Sequence, residues 1–472
     1  MKPIFLAATT SLAMTPISAN AQTSDATSQP TTLEVRDVGA IEGVETTLMV
    51  PENRQDPSSR KIAVRFVTLP ALKPSGAAPV VYLAGGPGGS ATGTARSPRW
   101  PLFDALRQTR DVILLDQRGT GRSDAPPNCA TSIGWTPEDV GDRETFVAKQ
   151  QAAFKQCEAF WIEAGVDLRG YTTAESAADI RSVSEAVGSK VSLLGISYGT
   201  HLALATLKAH ADVIDRAVLV SVEGLDQTVK LPARTEAYFA RLQAALDESA
   251  LAAGREPYPD LNEALRKALA RVERDKPQID VMVARGRPPV KRTLGPFAVQ
   301  AAVAFSLADP RRAHDVARGV LGMAADEPDY RLMRIAGRLM PEQIRMRAMA
   351  TVMDLASGVS DERMALIEEQ AETALFGDVT NFPMPHLNEQ GAPYRLPASF
   401  RSDPVAGTPT LVISGTLDGR TYPASGQEAT AGLTNRTTIT VENAGHNLFF
   451  DHSEVVPSVV RFLDAQDVEA TT

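Results

Sequence analysis

The turn G-I-S-Y-G at 195–199 most tightly constrains the fold of this chain. It directly follows the apolar run 191–194 and directly precedes the helix-like run 200–209. A serine at so sharp a strand-to-helix turn has a strained backbone, and only glycine leaves room two residues before and after it. The pattern therefore predicts a strand, a tight turn that presents Ser197, and then a helix.

Short apolar runs alternate with helical patterns on both sides of this turn. The strand candidates are 79–84, 111–115, 190–194, 216–220, 409–414 and 437–441. Their nearly continuous Val, Leu and Ile content is typical of strands that are covered on both faces. The segments 33–50 and 61–69 predict an antiparallel leading section. This alternation predicts an α/β protein with a mostly parallel sheet and crossover helices.

The composition changes between residues 220 and 409, where Ala, Leu, Arg, Glu and Met recur at helical spacing and prolines mark the breaks. This stretch is predicted to be a helical insertion into an otherwise continuous sheet domain. The 472-residue chain then divides into a first core part at 22–222, an insertion at 223–400 and a second core part at 401–472.

The first residues have the pattern of an export signal. A short positive start at Lys2 precedes a mostly apolar stretch at 4–17, and A-N-A at 19–21 is a signal-peptidase pattern. A signal peptide at 1–21 and a secreted or periplasmic protein are expected, the alternative being a disordered or buried N-terminus. The Ser-, Thr- and Gln-rich residues 22–32 are expected to be flexible. No later run reaches the ~18 apolar residues of a spanning helix, so no membrane insertion is expected after signal removal.

The chain has only two cysteines, Cys129 and Cys157. In an oxidising compartment such a pair is expected to form a disulfide; the alternative is two free buried thiols. Cysteines this far apart with no histidine nearby do not resemble a zinc site, and no metal is expected. The formal net charge of −9 gives no indication of a nucleic-acid partner.

A serine hydroxyl is a poor nucleophile without a base, and the base needs an orienting acid. His446 follows the strand candidate 437–441 and is the predicted base, with His452 as the alternative. Asp418 follows the candidate 409–414 and is the predicted acid, with Glu223 as the alternative. The other histidines are expected to be surface or packing residues: His201, His210, His314 and His386.

A glycine-rich turn, L-A-G-G-P-G-G at 83–89, follows the first core strand candidate. It is predicted to direct the backbone N–H of Gly86 at a developing oxyanion, together with the N–H of Tyr198. No Gly-Lys-Ser/Thr sequence follows, which argues against a phosphate-binding loop. The alternative is a plain tight turn.

Taken together, these motifs resemble the prolyl aminopeptidase and tripeptidyl aminopeptidase family of serine peptidases. The resemblance rests on the glycine-rich segment 83–90, D-Q-R-G-T-G-R-S at 116–123, G-I-S-Y-G-T at 195–200, G-T-L-D at 415–418 and G-H-N at 445–447. It covers the sheet domain from about Val44 onward and excludes the middle of the insertion.

The resemblance implies an α/β-hydrolase fold with an inserted helical cap domain, and release of residues or short peptides from free peptide N-termini without a cofactor. By position, Ser197 is the nucleophile, His446 the base and Asp418 its orienting acid, while the loop 116–123 is structural. Many prolyl aminopeptidases have histidine where this chain has Ala84, and their cap glutamates have no match here. These departures favour the tripeptidyl branch and leave the substrate length open.

An aminopeptidase has to bind the substrate's ammonium group, and Glu223, just past the strand candidate 216–220, is the candidate carboxylate. The alternative for this residue is a structural salt bridge at the hinge of the cap. An esterase or lactonase acting on small acyl substrates is the alternative function, and a catalytically silent binding protein is a third. The oligomeric state is left open.

Overall fold

The computed structural model describes residues 26–283, 286–307 and 310–465. The predicted signal peptide at 1–21 lies outside these residues. The strands are β1 (Ala26–Val35), β2 (Gly39–Pro51), β3 (Lys61–Leu69), β4 (Val80–Leu83), β5 (Val112–Asp116), β6 (Cys129–Ala130), β7 (Val140–Gly141), β8 (Val191–Ser197), β9 (Ile214–Val222), β10 (Gln278–Val281), β11 (Val290–Leu294), β12 (Arg345–Met346), β13 (Thr410–Gly415) and β14 (Arg436–Val441).

The α-helices alternate with these strands. They are α1 (Ala91–Ala95), α2 (Trp100–Leu106), α3 (Arg143–Glu163), α4 (Thr173–Val187), α5 (Tyr198–His210), α6 (Pro232–Ala252), α7 (Leu261–Asp275), α8 (Pro296–Ser306), α9 (Ala313–Ala324), α10 (Ala336–Leu339), α11 (Ala348–Ser357), α12 (Asp361–Ala371), α13 (Asn388–Gly391), α14 (Ala398–Arg401), α15 (Pro423–Ala429), α16 (Leu448–Asp451) and α17 (Val455–Leu463).

Within the described residues, the central sheet has the order β1-β2-β3-β5-β4-β8-β9-β13-β14. β1, β2 and β3 pair antiparallel, as does β3 with β5, and the strands from β5 to β14 pair parallel. Every strand predicted for the core is present. The mostly parallel sheet predicted from the alternating pattern is therefore confirmed.

The N-terminal edge of the sheet differs from expectation. Residues 22–32 were expected to be flexible, but β1 begins at Ala26 and pairs with β2 from Ala26 opposite Leu48 to Val35 opposite Gly39. This expectation was wrong for 26–32. An edge strand tolerates polar side chains because most of them face solvent, and the Thr residues of this segment favour extended backbone.

The sheet has a hydrophobic core on each face, because successive side chains of a strand point in opposite directions. In β4, Val81 and Leu83 pack with α4 and α5, whereas Val80 and Tyr82 pack with α2 and α17. Helix α5 begins directly after Ser197, and its residues 198–207 are all buried. This burial on both sides fixes the carboxyl end of β8.

The predicted helical insertion at 223–400 contains strands as well as helices. β10 and β11 form an antiparallel hairpin, and β7, from the first core part, adds to it by pairing Val140 with Thr293. β12 also pairs across the boundary, antiparallel with β6 of the first core part. The sequence pattern did not predict these strands because each of them is short. In addition, β11 and β12 pair with strands that lie more than a hundred residues earlier in the sequence.

The hydrophobic cores also cross the predicted boundaries at 222 and 400. Met349 and Val352 of α11 pack with Tyr171 in the core beneath the sheet. Conversely, Trp135 and Phe146, from the first core part, pack in the core of the insertion. The two regions are thus held together by exchanged segments as well as by surface contact.

The predicted disulfide is present. Cys129 of β6 is bonded to Cys157 of α3, with a Cα–Cα distance of 5.5 Å, and both residues are buried. The bond joins α3 to the strand that pairs with β12. Across the described ranges, no helix combines the length and the apolar character needed to cross a bilayer.

Candidate active site

Ser197 ends β8 with φ 56° and ψ −128°, and α5 begins at the next residue. Close backbone contacts leave no room for a side chain at either flanking glycine. A Cβ atom on Gly195 would lie 2.5 Å from the carbonyl oxygen of Gly199, and one on Gly199 would lie 2.1 Å from that of Leu83. The strained turn inferred from the motif is therefore what the structure contains.

Asp418 and His446 lie together at the carboxyl edge of the sheet, in the segments after β13 and β14. His446 Nδ1 is 3.1 Å and 3.0 Å from the two carboxylate oxygens of Asp418. Asp418 is completely buried and also accepts hydrogen bonds from the backbone N–H groups of Arg420 and Thr421, at 2.8 Å and 2.9 Å, and from the Thr421 hydroxyl at 2.7 Å.

Burial by itself raises the pKa of Asp418, but the adjacent His446 and the hydrogen bonds from His446 and Thr421 outweigh it, and the pKa is lowered. The carboxylate thus stays ionised and faces Nδ1. With Nδ1 held as a donor, the other ring nitrogen of His446 is left to accept a proton.

Ser197 and His446 line one cavity of about 560 Å³, called here the Ser197 cavity. Its other walls come mainly from the glycine-rich turn and the segment after it, together with Tyr82, Ile196 and Phe450. A Cβ atom on Gly85 would lie 3.1 Å from the Cβ of Ser197. The turn 85–89 therefore approaches the serine as closely as backbone can.

Both predicted oxyanion donors lie beside Ser197. Gly86 lines the Ser197 cavity with φ 135°, a conformation that favours glycine. Tyr198 is the first residue of α5, where a backbone N–H has no acceptor within the helix. These positions are compatible with two N–H groups that converge on one oxygen.

The loop 116–123 supports the glycine-rich turn. The Asp116 carboxylate accepts hydrogen bonds from the Ser90 hydroxyl at 2.9 Å and from the backbone N–H groups of Thr92 and Arg122, at 3.1 Å and 2.9 Å. Arg118 is fully buried and binds both carboxylate oxygens of Asp179, each at 2.7 Å. The loop is thus anchored in the core and holds the segment that lines the cavity.

Glu223 directly follows Val222, which lies opposite Ser197 in the β8–β9 register. Its carboxylate forms a 2.8 Å ion pair with Lys230, and its side chain is 9% exposed. It does not line the Ser197 cavity but faces a separate space of about 10 Å³ next to Arg420. Glu223 therefore follows the residue opposite Ser197, and its carboxylate is engaged in an ion pair.

Asp354 is an acidic residue that sequence reasoning missed. Burial, and after it the negative charge of Glu223, raises its pKa to about 8, while Lys230 opposes the shift. It is the only charged residue of α11, whose sequence is otherwise A-M-A-T-V-M-L-A-S. A single acid in an apolar helix was the signal that could have identified it.

None of the remaining histidines, all of which lie in the described residues, lines the Ser197 cavity. His201 is buried, with Nδ1 2.9 Å from the carbonyl oxygen of Gly224 and Nε2 3.0 Å from the hydroxyl of Ser357, and burial lowers its pKa. His452 lies between α16 and α17 and lines a different cavity. Among the residues described, no group of three or more His, Cys, Asp and Glu side chains is arranged to hold a metal ion.

A parallel sheet with a serine turn after β8, an acid after β13 and a histidine after β14 defines an α/β-hydrolase. Residues 78–453 match the family model described as alpha/beta hydrolase fold, so the chain belongs to the alpha/beta hydrolase family. No curated protein matches the sequence.

Several solved structures are similar to this chain. A proline iminopeptidase-related protein from Thermus thermophilus is 21% identical, with 89% of this chain and 97% of that chain covered and a TM-score of 0.37. The α/β-hydrolase enzyme MGS-M2 from a Medee basin deep-sea metagenome library is 13% identical, with 87% and 97% covered and a TM-score of 0.37. An esterase from Exiguobacterium antarcticum is 12% identical, with 88% and 98% covered and a TM-score of 0.36.

Proposed function

We propose that this α/β-hydrolase is an exported serine aminopeptidase that releases residues or short peptides from free peptide N-termini. Ser197 attacks the scissile carbonyl carbon while His446 accepts the hydroxyl proton. Asp418 holds His446 in the required tautomer and stabilises the imidazolium. The N–H groups of Gly86 and Tyr198 stabilise the oxyanion.

The intermediate collapses when His446 returns the proton to the leaving amine, and the amine departs from the acyl-enzyme. A water molecule then attacks the acyl carbon, and His446 takes a proton from this water. The acid product leaves, and Ser197 regains its proton. The 3.0 Å contact between His446 Nδ1 and Asp418 supports this assignment.

One observation carries the aminopeptidase proposal: Glu223, directly past β9 and next to the strand that ends at Ser197, is paired with Lys230 at 2.8 Å, and its negative charge also raises the pKa of Asp354. An ammonium group in a water-poor site needs a carboxylate partner. With Lys230 paired to Glu223, Asp354 stays protonated near neutral pH, and a second cation would favour its ionised form. The cluster therefore has the charge to accept a substrate ammonium group.

A different observation favours an esterase acting on small acyl substrates. Glu223 is already paired with Lys230, and its carboxylate faces a space of about 10 Å³ apart from the Ser197 cavity. In an esterase the cluster is a structural link between the core and the insertion. The catalytic residues are the same for both functions, so substrates have to decide between them.

The deciding experiment compares chromogenic amides that have a free amino terminus with their N-acetylated counterparts. Acetylation removes the substrate's positive charge and with it a charge-assisted hydrogen bond to the acidic cluster, at a cost of about 1.5–3 kcal/mol, or tenfold to a hundredfold in kcat/KM. Glu223→Gln is expected to raise KM for the free-amine substrates and to spare simple esters. Glu185→Gln, a surface substitution in the exposed pair with Arg181, is the control.

Equal rates on free and acetylated amides, or activity on esters alone, would replace the aminopeptidase proposal with the esterase. Export is tested separately by the N-terminal sequence of protein recovered outside the cytoplasm, which is expected to begin at Gln22.

A further inference from the structure

Arg99 extends into the Ser197 cavity, although neither the motifs nor the catalytic mechanism assigns it a role. It directly precedes α2, in the segment that follows β4. Its guanidinium donates one hydrogen bond to the Tyr82 hydroxyl at 3.2 Å and one to the side-chain oxygen of Asn447 at 2.8 Å. It also lies over the ring of Phe450, 5.4 Å from the centroid.

All three partners of this guanidinium are uncharged. Among the side chains that the structure describes, no carboxylate lies within 4 Å of it. A guanidinium has five N–H donors, and two are used here. Arg99 is therefore a fixed positive charge with donors to spare, in the same cavity as the nucleophile, and this arrangement suits a planar anion such as a carboxylate.

The position of Arg99 in the fold indicates which half of the substrate it contacts. In the sheet, β8 lies between β4 and β9. Arg99 comes from the β4 side and donates a hydrogen bond to Asn447. Asn447 is the sequence neighbour of His446, and His446 protonates the leaving group in the proposed mechanism. Glu223 directly follows β9, on the opposite side of the nucleophile. In the mechanism proposed above, this link to the His446 segment places Arg99 on the leaving-group side of Ser197.

We propose that Arg99 forms a subsite for a carboxylate carried by the leaving group. The preferred substrates are then compounds in which the released amine or alcohol carries a carboxylate, as a C-terminal amino acid does. The proposal rests on Ser197 and His446 acting as proposed above. It holds for either acyl class, because it concerns only the group that departs.

The test uses a matched pair of leaving groups, 4-aminobenzoate and 4-aminobenzamide, each joined to the same alanyl group. The two amines have nearly the same size and differ in charge. We expect kcat/KM to be about tenfold or more higher for the carboxylate, as is typical of a charge-assisted hydrogen bond. The pair alanyl-alanine and alanyl-alanine amide is expected to show the same order.

If neither the alanyl amides nor the matching Ala-Ala-Ala amides with a free amino terminus are cleaved, the aminopeptidase proposal fails, and the test continues with acetyl esters of 4-hydroxybenzoate and 4-hydroxybenzamide. The carboxylate preference is then measured on esters. A ratio near one in whichever class is cleaved overturns the Arg99 subsite, whatever the outcome for the amine.

Substitutions separate binding from a structural role. Arg99→Gln is expected to bring the ratio of charged to neutral substrate close to one, and Arg99→Lys to retain part of it. Arg96→Gln, at an exposed arginine that donates to the Glu34 carbonyl outside the cavity, is expected to leave the ratio unchanged. If Arg99 only positions the His446 segment, Arg99→Gln lowers kcat/KM equally for both substrates and the ratio persists, which refutes the subsite.

A measurement on the wild-type enzyme covers the case in which Arg99→Gln does not fold. Free 4-aminobenzoate is expected to inhibit competitively at about tenfold lower concentration than 4-aminobenzamide, and added salt is expected to reduce this difference. Equal inhibition by the two compounds contradicts the proposal.

Discussion

At the level of individual residues, some residues around Ser197 hold the backbone of the turn, and others are proposed to take part in the reaction. The backbone strain at Ser197 is held by close contacts of Gly195 and Gly199, neither of which has a side chain that could react. In the proposed mechanism the negative charge comes from Asp418, which is buried beside His446 and has a lowered pKa. Each of these roles predicts a different consequence of substitution.

Ser197→Ala is expected to abolish labelling by a fluorophosphonate probe and to reduce kcat by about 10⁶, because the nucleophile is removed from a unit whose members act together. Labelling is measured by intact mass and turnover by initial rates. Ser189→Ala, at an exposed serine before β8, is the control and is expected to label normally. Activity of Ser197→Ala above a hundredth of wild type would contradict the assignment.

Asp418→Asn is expected to lower kcat by about 10⁴ while preserving the fold, because asparagine does not fix the tautomer in which His446 accepts the serine proton. Steady-state rates on the substrate that is turned over best measure the effect. Glu223→Gln is the comparison, with a smaller expected effect on kcat. If Glu223→Gln gives the larger loss, the two acids exchange roles.

Among the helices and strands, α11 connects the insertion to the site. A Cβ atom on Gly88 would lie 3.1 Å from the Cβ of Ala350, and one on Gly119 would lie 2.5 Å from the Cβ of Met349. The same helix ends at Ser357, whose hydroxyl is 3.0 Å from His201 Nε2. α11 therefore packs against the glycine-rich turn, the loop 116–123 and the nucleophile helix at once.

Asp354 makes the stability of this helix contact depend on pH. Its pKa is about 8 in the folded protein and about 3.9 when unfolded. Between these values the folded state binds a proton that the unfolded state lacks, so stability falls as pH rises from about 4 to about 8. Asparagine does not ionise, so Asp354→Asn removes this loss. The free energy of unfolding of the variant minus that of wild type is expected to be higher at pH 9 than at pH 5, by on the order of a few kcal/mol.

Denaturant unfolding of wild type and Asp354→Asn at pH 5 and pH 9 measures the difference. Asp326→Asn, at an exposed residue 3.8 Å from Lys267, is the control and is expected to show little dependence on pH. A free-energy difference between wild type and Asp354→Asn that is the same at both pH values would show that Asp354 ionises normally.

Across the molecule, exchanged segments hold the insertion on the sheet domain. β6 and β7 belong to the first core part and pair with β12 and β11 of the insertion. The disulfide between Cys129 and Cys157 fixes β6 to α3, which reaches both hydrophobic cores through Phe146 and Phe154. Loss of this bond should therefore loosen the insertion along with the core.

Replacing both Cys129 and Cys157 by alanine is expected to lower the free energy of unfolding by about 3.5 kcal/mol, as the chain-entropy model gives for a loop of 28 residues. Denaturant unfolding measures the change. Intact mass after alkylation without reduction is the companion measurement, and no modified cysteine is expected. Alkylation of both cysteines in exported wild-type protein would exclude the bond.

Local pattern was sufficient to predict the features that depend on neighbouring residues. The run before Ser197 is apolar and the run after it has helical spacing, so β8, the turn and α5 follow from the sequence around them. The positions of Asp418 and His446 just past two strands follow in the same way. Parallel strands bring their carboxyl ends to one edge, and pattern alone therefore placed these two residues together.

Features that depend on residues far apart in the chain became visible only in the folded protein. The polar strand β1 forms because β2 offers an unpaired edge. Partial burial and the negative charge of Glu223 raise the pKa of Asp354. Arg99 enters the Ser197 cavity because Tyr82 and Asn447, the latter 348 residues away, hold its guanidinium there. In each case the tertiary structure determines the partner, because the local sequence does not indicate which distant group the residue contacts.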